Sequence, residues 1–385
     1  MRTISLLQPK QLTFGLGCLE DCVRYVSLLT ERKVHIVSSR SLRKVVEELS
    51  SKLRENGFVV SHDFSIDREP TVEMFQASLK RLDEPQGICF IGIGGGSVLD
   101  VAKLLAALAG SSQRVEETFG IGLLQGRGSH LVCIPTTAGT GSEVSPNAIL
   151  LDDAVKLKKG VISPFLVPDA VFIDPILTRT VPPAVTAATG LDTLTHCIEA
   201  YTNKFAHPLV DVFALEGIRL CASYLLRAVR NGEDLEAREG MSRASLYGGL
   251  CLGPVNTAAV HAMAYPLGGE FHLAHGVSNA ILLAPVFRFN MEASIERHAI
   301  VGVALGVEST KNEAEAATEA AASLERLVTE CGVSTNLEDY GISPASIPQM
   351  AASASTVTRL LRNNPREIGI EEIERLYRQC FSSLA

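Results

Sequence analysis

GICFIGIGGGSVLDVAKLLAAL, residues 87–108, decides how the chain folds. Gly87–Ile93 is a short apolar run of the length of a buried strand. Val98–Ala109 carries apolar residues at helical spacing. Between them stands Gly92-Ile93-Gly94-Gly95-Gly96-Ser97. Consecutive glycines let backbone N–H groups approach a pyrophosphate closely, and the helix N-terminus that follows adds partial positive charge. The same residues would also serve a tight strand-to-helix turn with no ligand. The pattern is not the spaced G-x-G-x-x-G with its lone acidic partner, so any nucleotide site here differs from the common Rossmann fingerprint.

Strand and helix patterns alternate on either side of this unit. Val34–Ser38, Phe58–Phe64, His130–Pro135 and Val171–Ile173 read as strands, and Ser41–Gly57 and Glu73–Leu82 as helices. Such alternation predicts a mostly parallel sheet covered by helices. Ile4–Phe14 reads as an extra extended piece with no partner strand nearby in sequence. A second polar loop, Pro135-Thr136-Thr137-Ala138-Gly139-Thr140-Gly141-Ser142-Glu143, follows the run Leu131–Ile134. Its hydroxyls suit a ribose, a phosphate or an amide, or else bond their own backbone. Two such loops at strand ends favour a shared ligand crevice.

Val181-Pro182-Pro183 is a stiff punctuation point, after which the pattern changes. Ala184–Asn203, Leu209–Asn231, Glu233–Leu252, Thr257–Leu267 and Asn312–Cys331 carry helical spacing, and strand patterns are nearly absent. The boundary is therefore expected near Pro182, with an α/β domain over 1–182 and a helical domain over 183–385. Within the helical half, Asp192 and His196 stand at i and i+4, which stacks them on one helix face. A carboxylate and an imidazole so placed can hold one cation, or form no more than a hydrogen-bonded pair. His261 lies in the apolar helix Ala258–Leu267, and His275 in a loop opening the apolar segment Val277–Leu283. One carboxylate and three imidazoles suit Fe²⁺, Zn²⁺ or another divalent metal.

The bulk properties exclude several classes. At 385 residues the chain suits two domains, and 46% hydrophobic with 20% charged residues is a globular profile. A net charge of −8 without a long basic run argues against nucleic acid, and short stretches such as Lys156–Lys159 read as solvated faces. Nine scattered Cys with no C-x-x-C read as buried free thiols in a reducing compartment. No apolar run reaches the roughly 18 residues of a membrane span. With no leader pattern at the start, a cytoplasmic location is expected.

Five motifs now stand in order: Gly94-Gly95-Gly96-Ser97 with Asp100 and Lys103; the loop from Pro135 to Glu143; Gly190-Leu191-Asp192-Thr193-Leu194-Thr195-His196; His261-Ala262-Met263-Ala264; and His275-Gly276. Together they resemble the iron-containing alcohol dehydrogenase family, the group that includes lactaldehyde reductase. The resemblance runs from Phe14-Gly15 to about Asn290. It implies a dehydroquinate synthase-like architecture, with an N-terminal dinucleotide domain, a C-terminal helical domain and a metal in the cleft between them. By resemblance the metal ligands are Asp192, His196, His261 and His275. Gly94, Gly95, Gly96, Ser97 and Asp100 fall in the phosphate motif, and Thr136, Thr137, Thr140 and Ser142 in the second nucleotide loop. Lys158 matches a family lysine of the cleft. The implied activity is NAD(P)-linked interconversion of a small alcohol with its aldehyde or ketone. The metal acts on the substrate oxygen, and hydride passes to or from the nicotinamide. A homodimer paired through the N-terminal segment is also implied.

Two departures from the family pattern stand out. The family's second histidine after His261 is Tyr265 here. A phenol, with an ordinary pKa of about 10, is a poor proton shuttle at neutral pH. His272 is a candidate replacement. Where NAD-preferring relatives place an Asp, this chain has Ser39, followed by Arg40. The missing carboxylate and the neighbouring guanidinium predict that NADP is accepted as well as NAD. Three other readings share parts of the pattern: a hydroxyacid–oxoacid transhydrogenase, a non-redox lyase of the dehydroquinate synthase type, and a nucleotide-binding protein that has lost catalysis. The Thr-rich loop and His-Ala-Met-Ala favour the dehydrogenase over the lyase.

Overall fold

The computed structural model describes residues 2–154, 156–308 and 312–384. Two units divide the chain: Leu6–Thr180, and Val181–Ala385 together with Met1–Ser5. The change at Val181 comes where Pro182 and Pro183 deny two backbone donors to any sheet. The start of the chain goes with the helical unit, unlike the expected 1–182 grouping. There the Arg2 guanidinium donates to the carbonyls of Phe205 at 2.8 Å and Pro254 at 2.7 Å.

The α/β unit carries β1 (Gln11–Phe14), α1 (Leu19–Ser27), β2 (Lys33–Ser38), α2 (Arg43–Glu55), β3 (Val59–Asp63), α3 (Val72–Lys80), β4 (Ile88–Gly94), α4 (Gly96–Leu108) and β5 (Gly120–Ile121). It continues with β6 (His130–Pro135), β7 (Asn147–Asp152), β8 (Leu157–Ile162) and β9 (Ala170–Ile173). Six strands form a sheet in the order β1-β9-β6-β4-β2-β3, and every pairing in it is parallel. Alternate residues of the strands face opposite sides. Val34, Ile36, Cys89, Ile91, Ile93, Val132, Ile134 and Phe172 pack with Cys22 and Val26 of α1 and with Val46, Leu49 and Leu53 of α2. On the other face Gly92 meets α4, where an added Cβ would lie 2.8 Å from the Ala102 side chain.

The chain steps outward from β2 to β3, then returns to β4 on the other side of β2 and continues to β6 and β9. The order therefore reverses between β2 and β4, and ligands of such sheets bind at that point, beyond the carboxyl ends of the strands. Both loops singled out in the sequence leave carboxyl ends, after β4 and after β6.

Several expectations shift. The segment Ile4–Phe14 is a strand only over Gln11–Phe14, and its partner is β9, some 160 residues away, with Gln11 opposite Ala170. Helix α1 and a small second sheet, β5-β8-β7, were not anticipated. The Lys156–Lys159 stretch, read as a solvated face, runs into β8, where Lys158 is buried.

The helical unit consists of α5 (Pro183–Thr202), α6 (Pro208–Arg230), α7 (Leu235–Leu252), α8 (Ala259–Phe271), α9 (His275–Asn290), α10 (Ile295–Ala304), α11 (Glu313–Glu330), α12 (Ile347–Ser355), α13 (Thr358–Leu361) and α14 (Ile370–Arg378). Helix α5 is buried almost throughout, with α6, α7 and α9 packed on it. Its polar residues are therefore interior, which requires that each find a partner. His275, expected in a loop, is the first residue of α9. The approach of α9 to α5 depends on Gly276, where a Cβ would sit 2.0 Å from the Ala188 carbonyl oxygen, inside any permitted contact. No helix among the described residues is long and apolar enough to cross a membrane.

Candidate metal centre and nucleotide loops

Asp192 and His196 lie one turn apart on α5, and both are buried. His261 comes from the first turn of α8 and His275 opens α9. The three helices aim these side chains at one carboxylate oxygen. Asp192 Oδ1 lies 3.6 Å from His196 Nε2, 3.4 Å from His261 Nε2 and 3.7 Å from His275 Nε2. Ligand atoms of Asp192, His261 and His275 all fall within 4.8 Å of one another. The His196 ring stacks on His261, with centroids 4.8 Å apart at 17°, while His275 meets His261 edge-on at 63°. A tetrahedral ion with bonds of about 2.1 Å separates its ligands by roughly 3.4 Å, so the spacings from Asp192 fit a bound divalent cation. His275 is the open side of the cluster, with 29% of its side chain exposed against 3–6% for the other three.

Two residues that sequence reasoning passed over complete the cluster. Glu199 Oε2 lies 2.6 Å from His261 Nδ1, and both side chains are buried. That hydrogen bond places the Nδ1 proton toward the carboxylate and leaves Nε2 as the metal-facing lone pair. Asn279 Nδ2 donates to Asp192 Oδ1 at 2.7 Å and lies 3.2 and 3.3 Å from Nε2 of His261 and His275. A donor group thus sits among three converging acceptors, where the lone pairs call for positive charge. Spacing could have pointed to both residues. Glu199 stands at i+7 from Asp192 and i+3 from His196, and Asn279 at i+4 from His275, each on the ligand face of its helix.

The electrostatics follow from burial and charge. Burial alone would raise the Asp192 carboxyl, but His196, His275 and His261 hold it well below the usual carboxylate range. Burial would lower His261, yet Glu199 and Asp192 together outweigh it and push the imidazole up to about 9. Without a metal this cluster holds a proton strongly.

In the α/β unit the glycine run joins a strand to a helix. β4 ends at Gly94, Gly95 caps α4 and Gly96 begins it. The second loop lies against it. An added Cβ on Gly96 would meet the Thr140 side chain at 2.6 Å, and one on Gly95 would meet Thr137 Oγ1 at 3.2 Å. Thr136 N donates to the Gly94 carbonyl at 3.0 Å, which ties the two loops by main chain. Asp100 and Lys103 brace this arrangement from inside. Asp100 accepts from Ser142 Oγ at 2.5 Å and from the Ile149 amide at 2.9 Å. Lys103 Nζ donates to the carbonyls of Ser142 at 2.7 Å and Asn147 at 2.5 Å. Both Asp100 oxygens and the Ser142 hydroxyl are therefore engaged within the fold. Ser97 sits partly buried in the first turn of α4.

The remaining sequence candidates are more scattered. Ser39 follows β2 and precedes a short 3₁₀ turn, with its hydroxyl 2.8 Å from that of Ser41, and Arg40 is exposed. Lys158 forms a 2.5 Å ion pair with Glu69. Tyr265 is buried one turn after His261, packed with Ala262 and Leu360 and flanked by Val357 and Leu361. His272 is exposed and caps α8 in a left-handed conformation, φ 56°.

Comparison with known proteins identifies the family. Residues 9–175 match the family model described as iron-containing alcohol dehydrogenase, and 186–381 match the C-terminal model of the same family. The long-chain-alcohol dehydrogenase 1 of Geobacillus thermodenitrificans is 36% identical, over 99% of this chain and 98% of its own. The NAD-dependent methanol dehydrogenase of Bacillus methanolicus is 31% identical, over 97% and 98%. The crystal structure of a 1,3-propanediol oxidoreductase superposes with a TM-score of 0.93 at 33% identity, covering 99% of this chain and 100% of the other.

Proposed function

The chain belongs to the iron-containing alcohol dehydrogenase family, and from that premise we propose that Asp192, His196, His261 and His275 hold its divalent metal while the loops after β2, β4 and β6 hold its nucleotide. The activity is oxidoreduction between an alcohol and its aldehyde. The convergence of Asp192, His261 and His275 within 4.8 Å carries the site assignment. Fe²⁺ and Zn²⁺ both suit one carboxylate and three imidazoles. Bound there, the metal supplies a Lewis acid for the substrate oxygen, and the nicotinamide supplies or accepts the hydride.

The residues of the chain do the rest. Asp192 contributes the single charge among the four ligands, and Glu199 fixes the orientation of His261. The more exposed His275 marks the side from which a small alcohol enters. Tyr265, one turn beyond His261, adds a hydroxyl to an otherwise apolar wall with Leu360 and Val357. It takes the place, but not the proton chemistry, of the family's second histidine; His272 is the candidate for that chemistry. Gly94, Gly95, Gly96 and Ser97 present main-chain donors to the pyrophosphate, and Thr136, Thr137 and Thr140 add hydroxyls. Asp100 and Ser142 hold the two loops in place. Lys158 belongs to the cofactor site in this reading, with Glu69 its partner until the nucleotide binds. A panel of straight-chain alcohols and aldehydes, assayed with metal content measured on the same preparation, tests the reading. Turnover in proportion to bound metal supports it. A metal-replete protein with no alcohol-dependent reduction of NAD or NADP overturns it.

At the finer level, Ser39 and Arg40 support use of NADP(H) at least as good as NAD(H). Ser39 follows the strand at which the sheet order reverses, and no carboxylate there repels a 2′-phosphate. Ser39→Asp is expected to shift the ratio of kcat/KM toward NAD by about tenfold, or ~1.4 kcal/mol. A strong parental preference for NAD removes Ser39 as the selector. The free outer edge of β1 supports a homodimer, which light scattering at micromolar concentration reads directly. Nine buried free thiols support a cytoplasmic location.

A further inference from the structure

Glu199 is a buried carboxylate whose part so far is only to orient His261. Its oxygens are divided between two partners. Oε1 accepts the Val260 backbone N–H at 2.7 Å, and Oε2 lies 2.6 Å from His261 Nδ1. Val260 belongs to the first turn of α8, where N–H groups have no partner within the helix and negative charge is favoured. One side chain of α5 therefore fixes both the helix that carries His261 and the rotation of its ring.

We propose that Glu199 is a positioning residue for the metal: it is not a ligand, but it sets how tightly the centre holds a divalent cation. The inference rests on the metal reading given above. Two physical effects combine. The hydrogen bond holds His261 as the tautomer whose Nε2 lone pair faces Asp192, so no ring rotation is lost on binding, and the carboxylate makes that nitrogen a stronger donor. The charge also balances. Asp192 and Glu199 place two carboxylates beside three imidazoles and the Asn279 amide in the buried cluster. Buried charge of that kind is tolerated where it is paired or binds a metal, and a divalent cation neutralises both carboxylates.

A role confined to tying α5 to α8 would look the same in a static structure, so the test separates affinity from folding. Glu199→Gln preserves size and keeps an oxygen for the Val260 N–H, but removes the charge. Stripped protein, parent and variant, is titrated with Zn²⁺ and with Co²⁺ against a competing chelator. Thermal melts of the metal-free forms accompany the titration. The expected result is a 10- to 100-fold weaker Kd for both metals, a changed visible spectrum for bound Co²⁺, and metal-free melting temperatures within a few degrees of each other. A folded Glu199→Gln protein with the parental Kd overturns the proposal. If Glu199→Gln does not fold, Glu199→Asp is titrated in its place, and failure of both to fold assigns Glu199 to folding and overturns it equally. His261→Ala serves as the reference. Loss of metal in His261→Ala with parental affinity in Glu199→Gln removes this inference alone, whereas parental affinity in His261→Ala removes the metal site itself.

Discussion

The proposed nucleotide loop between β4 and α4 would offer peptide N–H donors, and Thr137 and Thr140 fill the space where Gly95 and Gly96 have no side chain. Between α5, α8 and α9 the groups proposed to meet the metal are side chains on three separate segments. The first kind of site is written in consecutive residues and is damaged by adding atoms. The second is assembled from positions up to 83 residues apart, from Asp192 to His275, and is damaged by removing atoms. Their buried histidines show the same contrast. Burial pushes His35 in the α/β unit down to about 4, whereas in His261 the carboxylates of Glu199 and Asp192 overcome burial.

The contrast is tested most severely at the ligands. His261→Ala or His275→Ala is expected to lose bound metal and more than about a thousandfold in kcat/KM, ~4 kcal/mol, while nucleotide binding and the circular dichroism spectrum persist. Metal analysis and nucleotide fluorescence on one sample would break the comparison if both functions fell together. Addition of atoms is tested at Gly96→Val. The new side chain collides with Thr140, and KM for the nucleotide is expected to rise about 10- to 100-fold, ~1.4–2.7 kcal/mol, with metal content unchanged. A variant that loses metal as well would show that the two kinds of site are not separable.

The smallest effect on turnover comes from His35. Its ring is 5% exposed and donates to or accepts from Ser61 Oγ at 2.9 Å. The unfolded chain takes up a proton at His35 as pH falls below about 6.5, and the folded chain does so only near 4. This group's contribution is therefore complete above pH 6.5 and is lost as pH falls toward 4, by at most ~3 kcal/mol. Urea midpoints across that range should fall less steeply in His35→Asn than in the parent. Equal slopes would place the acid sensitivity elsewhere, and assays above pH 6.5 should not distinguish the two proteins.

How much was legible in the sequence follows from the same difference. Residues 87–108 yield strand, loop and helix because all the information is local, and the helix begins at Gly96 rather than Val98 because Gly96 and Ser97 join its first turn. Asp192 and His196 are legible by their spacing. Glu199 was overlooked because a glutamate in a helix ordinarily faces water, and only the three-dimensional structure places it against Val260 and His261 at the start of α8. Asn279 was hidden in an apolar run for the same reason. Strand β8 was missed because Lys158 and Lys159 look like a solvated stretch. Their charges are met by Glu69 and Asp152, the latter on the neighbouring strand β7, with Lys159 at 2.7 Å from Asp152. The pairing of Lys158 with Glu69 joins residues too far apart for local pattern to show.

The hold of Arg2 on the carbonyls of Phe205 and Pro254 has a consequence in time. At a synthesis rate of about 5–20 residues per second, Pro254 leaves the ribosome roughly 13 to 50 seconds after Arg2. Within that interval the whole of Leu6–Thr180 is made, and its sheet can close before Pro254 emerges. Arg2, made before all of Leu6–Thr180, is thus fastened after that unit can fold, and it waits on the nascent chain until the helices that receive it exist.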